Sequence, residues 1–274
     1  MAAGHALRGF DLASDARAAL ARAGGLAAAT AADAAAGADL IITMLPSGAI
    51  VRAALLGDSG ALLALPRDSL VIDMSSSAPT DTLKLHGELK VRGYRLVDAP
   101  VSGGVRRAVD GTLTVMAGGD AEDVQDAFPL LEAMGTKVFR TGGPGSGHAM
   151  KALNNFVSAT GAVAAMEALI VGRHFGLDAE MMVDILNVST GRNNTTETKM
   201  KQFVLSESWG SGFALSLMAK DVGIAAGLSR DLHLETPTLV SAARLWGNAS
   251  QALGPDADHT EIMRFLQHQA TANP

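Results

Sequence analysis

The sequence predicts an α/β domain built on a parallel sheet, followed by an all-α domain. Two observations carry this. Through the first half, short apolar runs alternate with helical stretches, the pattern of a parallel sheet covered by helices on both faces. After Thr141 the apolar runs stop, and Gly142-Gly143-Pro144-Gly145-Ser146-Gly147 makes a flexible joint ahead of segments that read only as helix.

The elements follow in order. Ala6–Asp11 reads as a strand ending in an acid, and Leu12–Ala23 as a helix stopped by Gly24-Gly25. Leu40–Met44 is a second strand, ended by Pro46, after which Ser47 caps a helix to about Leu56. Leu70–Asp73 is a third strand, and Pro79 opens another helix at its first turn. Strands at Leu96–Ala99, Thr112–Ala117 and Val138–Arg140 complete the sheet, the last two separated by a helix from Ala121 to Met134. Beyond the joint, His148–Gly176 reads as one long helix, followed by helices near Ala179–Val188, Glu197–Leu205, Leu215–Leu228 and Pro237–Leu253. The domain boundary is expected near Gly145, giving domains 1–145 and 146–274; Ala31–Ala36 reads only as an Ala-rich stretch. Gly161, Ala162, Ala164, Ala165 and Gly172 on the long helix allow close approach of a neighbouring helix, within the domain or across a subunit interface.

Composition excludes several function classes. Of the 274 residues, 48% are hydrophobic and 18% charged, enough for a buried core and against disorder. A formal net charge of -6 leaves no basic footprint for nucleic acid. There is no cysteine, so disulfides, thiolate metal sites and cysteine chemistry are absent. His5, His86, His148, His174, His233, His259 and His268 are scattered without metal-ligand spacing, and no metal is expected. Met1 to Leu7 lacks the apolar core of a signal peptide, and Leu40–Leu45 is too short to span a bilayer. The expectation is a cytoplasmic protein whose partners are a small molecule and other protein chains, with no membrane and no nucleic acid.

Four segments could carry chemistry. Asp11 ends its strand as does the acid that takes the adenosine ribose hydroxyls in a dinucleotide-binding sheet, and a carboxylate there favours NAD over NADP. An ordinary helix cap is the competing reading. The G-x-G-x-x-G turn that should precede such an acid is absent, with only ten residues upstream. In Asp98-Ala99-Pro100-Val101-Ser102-Gly103-Gly104, a hydroxyl and two glycines could hold a substrate carboxylate, or simply make a turn. In Gly145-Ser146-Gly147-His148-Ala149-Met150-Lys151-Ala152-Leu153-Asn154-Asn155, Lys151 and Asn155 stand four apart on one helix face. Partial burial would suit that lysine to proton transfer, although a lysine on a helix is more often merely solvated. Lys220-Asp221 interrupts an apolar helix face, as a surface ion pair or as a group reaching a cofactor.

Taken together, these segments resemble the 3-hydroxyisobutyrate dehydrogenase family of β-hydroxyacid dehydrogenases. Ile42-Thr43-Met44-Leu45-Pro46, Asp73-Met74-Ser75-Ser76, Asp98–Gly104, Gly145–Asn155 and Gly212–Asp221 match it in order, over essentially the whole chain. The resemblance implies a Rossmann-like domain, here lacking its first strand, joined to a helical substrate and oligomerisation domain that makes a homodimer or homotetramer. It implies Lys151 as the catalytic lysine with Asn155 supporting it, and Ser102, Gly103 and Gly104 on the substrate carboxylate. It places Met44, Leu45 and Pro46 on the adenosine side of the cofactor, with Phe213, Lys220 and Asp221 also at the cofactor. Ser76 stands near the nicotinamide, where many relatives have Thr. Ser189-Thr190-Gly191-Arg192 resembles a stretch of the 3-hydroxyisobutyrate enzymes and favours a methyl-bearing hydroxy acid. Imine reductases, which tend to lack the lysine, fit less well. The missing strand and glycine-rich turn lead to the expectation of a chain truncated at its start. The reaction implied is NAD-dependent oxidation of a small 3-hydroxy acid to its semialdehyde. The alternatives are a tartronate-semialdehyde-type reductase of the same family and a non-catalytic oligomeric relative.

Overall fold

A computed structural model describes residues 3–271. They fall into two compact units, Met1–Lys151 and Ala152–Pro274. The first comprises β1 (Arg8–Gly9), α1 (Ser14–Arg22), β2 (Leu26–Ala27), α2 (Ala31–Ala35), β3 (Leu40–Thr43), α3 (Gly48–Leu56), β4 (Leu70–Asp73), α4 (Pro79–Val91), β5 (Arg95–Asp98), β6 (Val101–Ser102), α5 (Gly104–Val109), β7 (Leu113–Gly119), α6 (Ala121–Glu132) and β8 (Gly135–Gly142). β1 and β2 pair in parallel as a ladder of their own. The other six strands form one sheet in the order β3-β4-β5-β7-β6, with β8 on β7.

This sheet is mixed, where the sequence predicts a purely parallel one. β3, β4 and β5 are parallel and in step, Thr43 opposite Asp73 and Asp73 opposite Asp98. β7 runs antiparallel to β5 and β6, then pairs in parallel with β8. The physical reason lies between Asp98 and Leu113. Its only helix, α5, has six residues, too short to carry the chain back along the sheet for a parallel return. The strand bends at Ala99-Pro100 instead, so β5 and β6 lie one after the other along β7. Alternation within β4 explains how the sheet is covered. Ile72 joins Val97, Val115, Ala117 and Leu131 in one cluster, while Val71 joins Leu55, Leu85, Leu89 and Leu96 in another.

Local chemistry sets the helix starts. Ser47 accepts from the Ile50 amide ahead of α3, and Pro79 occupies the first turn of α4. α2, read from the sequence only as Ala-rich, is capped by Thr30, which accepts from the Asp33 amide.

The second unit is helical. α7 (Ser146–Phe175) begins in the first unit, and the division falls after Lys151, within the helix, six residues beyond the boundary read from the sequence. By length and composition α7 could cross a membrane. Its Ala159, Ala162, Met166 and Leu169, however, are buried in the core of this unit with Met200, Leu215, Trp246 and Ile262. Then come α8 (Ala179–Val188), α9 (Asn194–Thr198), a π-turn at Met200–Leu205, α10 (Leu215–Asp231), α11 (Pro237–Leu253) and α12 (Ile262–Thr271). The single helix expected at Glu197–Leu205 is thus two pieces. Asn193 starts the first by accepting from the Thr195 and Thr196 amides, and Lys199, at φ -131, ends it. α12 was not expected. Asp258 and Glu261 form a capping box just before it, and Ile262, Met263 and Leu266 bury its apolar side.

Candidate active site

The start of α7 is fastened to the sheet. Helix N-termini leave backbone N–H groups without partners. Here Asp98, at the end of β5 and fully buried, supplies them: its Oδ1 accepts from the Gly145 amide at 2.8 Å and its Oδ2 from the His148 amide at 2.9 Å. Burial pushes the Asp98 carboxyl up from its ordinary value, against the opposing pull of His148 and the two amides. The helix approaches backbone to backbone. A Cβ on Gly147 would lie 2.3 Å from the Met116 carbonyl oxygen and 2.7 Å from that of Asp98, and one on Gly118 would lie 2.8 Å from the Gly147 nitrogen. Gly147→Ala is therefore expected to destabilise the protein by about 1–3 kcal/mol through overpacking against main chain that cannot yield. Urea unfolding of the variant beside wild type measures this; an unchanged midpoint would contradict the close approach.

His148 extends the fastening. Its ring is buried, with Nε2 3.1 Å from the Ser75 carbonyl oxygen. A carbonyl only accepts, so Nε2 carries the proton. Nδ1 lies 2.8 Å from Thr82 Oγ1 on α4. Two buried carboxylates flank the ring, Asp98 Oδ2 3.7 Å from Nδ1 and Asp73 Oδ2 3.8 Å from Nε2. Asp73 is itself held by the Thr43 hydroxyl at 2.9 Å, the Ser75 amide at 3.1 Å and the Ser77 hydroxyl at 3.2 Å. Lys151, half-buried, follows His148 by three residues on the same helix.

Because β3, β4 and β5 end in step, the segments after them leave the same edge of the sheet, where open α/β sheets bind ligands. After β3 come Met44, Leu45 and Pro46, with Met44 58% exposed and the Leu45 amide donating to Ser75 Oγ at 2.8 Å. Ser76 lies after β4 and is half-buried. Ser102 ends β6, followed by exposed Gly103 and Gly104 at φ 134 and φ 67, positions open to glycine. Met44 offers an apolar surface of the kind an adenine ring packs on, and Ser76 a hydroxyl of the kind a nicotinamide amide bonds. Asp11 is exposed, and its Oδ1 accepts from the Ala13 amide at 2.8 Å, an Asx turn ahead of α1, whose N-cap position is Ala13.

In the second unit, Asn155 is 6% exposed and its amide donates to Asp221 Oδ2 at 2.6 Å. Asp221 Oδ1 lies 3.7 Å from Lys220 Nζ. The structure thus joins Asn155, Asp221 and Lys220 through side chains. Phe213 belongs to a different group, its ring edge-on to His259 with centroids 5.7 Å apart. There Lys199 Nζ donates to His259 Nε2 at 2.9 Å, and Nδ1 faces the Phe213 carbonyl oxygen at 3.1 Å and Ser211 Oγ at 2.9 Å. Ser211 donates to Asp258 Oδ1 at 2.8 Å. Burial, with Lys199 adding to it, pushes the His259 imidazole down to about 4, and burial also lowers Lys199.

The sequence assigns no role to Thr82, and it holds His148, Asp73 and Asp98 only as members of motifs. Two signals pointed to them: an acid closing a buried strand, and a histidine inside the glycine-rich start of the helix that bears Lys151. The Lys199–His259 pair, 60 residues apart, left no local signal.

Known proteins resemble the chain over most of its length. Residues 1–143 match a family model described as the NAD binding domain of 6-phosphogluconate dehydrogenase. Residues 145–266 match one described as the NAD-binding region of NADP-dependent 3-hydroxyisobutyrate dehydrogenase. The chain is 39% identical to the NAD-dependent L-serine dehydrogenase of Pseudomonas aeruginosa, over 86% of this chain and 81% of that protein. It is 35% identical to the 3-hydroxyisobutyrate dehydrogenase of the same organism, over 94% of this chain and 87% of that protein. Among solved structures, Mycobacterium tuberculosis 3-hydroxyisobutyrate dehydrogenase with L-serine superposes with a TM-score of 0.88, at 32% identity, covering 97% of this chain and 92% of that one. The expectation of a truncated chain is not borne out. It rested on a missing first strand and glycine-rich turn.

Proposed function

Because the chain belongs to the 3-hydroxyisobutyrate dehydrogenase family of NAD(P)-dependent oxidoreductases, we propose that it oxidises a small 3-hydroxy acid of the 3-hydroxyisobutyrate kind to its semialdehyde, with NAD. The observation that carries this reading is the placement of Lys151, half-buried on a helix whose first turn is bonded to the end of β5. A lysine held in that way can meet a substrate hydroxyl in a fixed geometry. Lys151 takes the hydroxyl proton during oxidation and returns it in the reverse direction. Asn155, with its amide oriented by Asp221, supports the hydroxyl. Ser102 and the backbone amides of Gly103 and Gly104 hold the substrate carboxylate.

Met44, Leu45 and Pro46 would line the adenosine side of the cofactor, with Asp11 at the ribose, Ser76 toward the nicotinamide, and Phe213, Lys220 and Asp221 completing the set. Bound there, the nicotinamide supplies a hydride acceptor. The Asp11 carboxylate disfavours a ribose 2′-phosphate, and the serine dehydrogenase relative is named as NAD-dependent; both support NAD over NADP. The same reading makes the protein a cytoplasmic homodimer or homotetramer assembled through its helical unit, with no nucleic-acid or membrane partner.

Initial rates of nicotinamide reduction test it, using 3-hydroxyisobutyrate, L-serine and 3-hydroxypropanoate, each with NAD and with NADP. Turnover of 3-hydroxyisobutyrate with kcat/KM about tenfold or more higher for NAD is expected, the effect of one repelled phosphate. Turnover of none of the three acids would overturn the substrate class and leave the non-catalytic alternative. A preference for NADP would remove Asp11 from the ribose site.

A further inference from the structure

We infer that Asp98 and His148 are positioning residues for Lys151, the inference resting on the reading of Lys151 as the acid/base. Neither side chain has the exposure to meet a substrate: Asp98 is 0% and His148 1% exposed. Both are spent on where α7 begins. The helix start is tied at four places. Asp98 of β5 receives the Gly145 and His148 amides. The His148 ring donates to the Ser75 carbonyl after β4 and meets the Thr82 hydroxyl of α4. Gly147 sits against the backbone carbonyls of Met116 on β7 and Asp98 on β5, where no side chain would fit.

These ties come from two strands, the segment after a third and one helix, so they restrain tilt and rotation of the first turn as well as its distance from the sheet. Lys151 follows His148 by three residues, one helical turn. A shift of the first turn is passed to Lys151 with little attenuation, because the intervening backbone is hydrogen-bonded helix. Displacement of about 1 Å at a reacting group costs on the order of 100-fold in rate. Thr82 belongs to the same device: with the imidazole proton on Nε2, its hydroxyl donates to Nδ1 at 2.8 Å, and the Ala78 carbonyl oxygen lies 3.2 Å away.

The test is a double-mutant cycle in the full chain. Asp98→Asn is made alone and with Lys151→Met, and kcat, KM for the hydroxy acid and the urea unfolding midpoint are measured for each. Asp98→Asn keeps the shape but offers one acceptor oxygen in place of two. It is expected to lower kcat by about 10- to 100-fold, with KM for the hydroxy acid changed less than about threefold, and to cost nothing further once Lys151→Met is in place. Thr82→Val, which removes only the hydroxyl, is expected to lower kcat about three- to tenfold, again with no further loss beside Lys151→Met. If Asp98→Asn does not fold, the Thr82→Val cycle decides. Equal losses of kcat with and without the Lys151→Met substitution would overturn the inference while leaving Lys151 as acid/base, and so would a folded Asp98→Asn with wild-type kcat. A Lys151→Met protein with wild-type kcat would overturn the acid/base reading itself, and this inference with it.

Discussion

Lys151→Ala is expected to lower kcat by about 100-fold or more, the scale of a lost general acid/base, while NAD affinity stays within about threefold. The split follows from what the side chain is asked to do. In the proposed reaction Lys151 acts on the substrate hydroxyl, so its loss falls on the step that moves the proton and leaves cofactor binding alone. The fold should tolerate the change, since Lys151 is half-buried and the turn that carries it is held by Asp98, Gly147 and His148. Steady-state rates with 3-hydroxyisobutyrate, together with NADH titration followed by fluorescence, measure the two quantities separately. A variant with unchanged kcat removes Lys151 from the chemistry. A variant that has lost NADH binding along with activity places the lysine at the cofactor instead.

The second large effect is on stability in acid. Two contacts define the state of His259. Its Nε2 accepts from the Lys199 ammonium, and its Nδ1 faces the Phe213 carbonyl oxygen, so the folded protein holds a neutral imidazole with the proton on Nδ1. Protonation would set a second cation against Lys199 in a buried place. Burial first, and Lys199 second, pushes the imidazole from its ordinary 6.5 down to about 4. Between those values the unfolded chain binds a proton that the folded chain refuses, so stability falls as pH drops from about 6.5 to about 4 and changes no further through this group below that. At about 1.4 kcal/mol per pH unit the loss is on the order of 3 kcal/mol. Asp258, which burial raises but the hydrogen bonds it accepts from Thr260 and Ser211 bring below its ordinary 3.8, adds its own loss only at lower pH. Urea midpoints measured across this range for wild type and for His259→Asn give the check. The variant should lack most of the wild-type slope between pH 4 and 6.5; parallel slopes would mean that the imidazole is not the titrating group.

Much of the fold was legible because buried segments carry their periodicity openly. Leu70–Asp73 and Ala179–Val188 have the bounds read from the sequence, since apolar runs ended by polar or turn residues leave little choice. The direction of β7 was not legible. Strand direction depends on the length of the preceding connection and on the bend at Pro100, neither of which changes the apolar pattern of the strand itself. That Lys151 and Asn155 share one helix was legible from their spacing, and the Asn155–Asp221 bond joined two motifs that the sequence kept apart. Asp11 carried two readings in the sequence; it lies two residues beyond β1 and closes a turn on the Ala13 amide, short of the N-cap position of α1. The supports of the helix start were hidden for another reason. Asp98, Thr82 and His148 each look like an ordinary buried or helical residue until the sheet brings them within hydrogen-bond distance.

Asp98 meets its backbone partners 47 and 50 residues further along the chain. That separation has a consequence for the order of assembly. During synthesis the carboxylate emerges before the amides that will satisfy it. It can be desolvated without loss only after β7 has turned back along β5 and the chain beyond β8 has arrived. Contacts that close loops of this length are made late, because their entropy is lost before their bonds are gained. The first turn of α7 is therefore expected to become rigid among the last parts of its unit, and Lys151, one turn further on, to acquire its fixed position only when the sheet is complete.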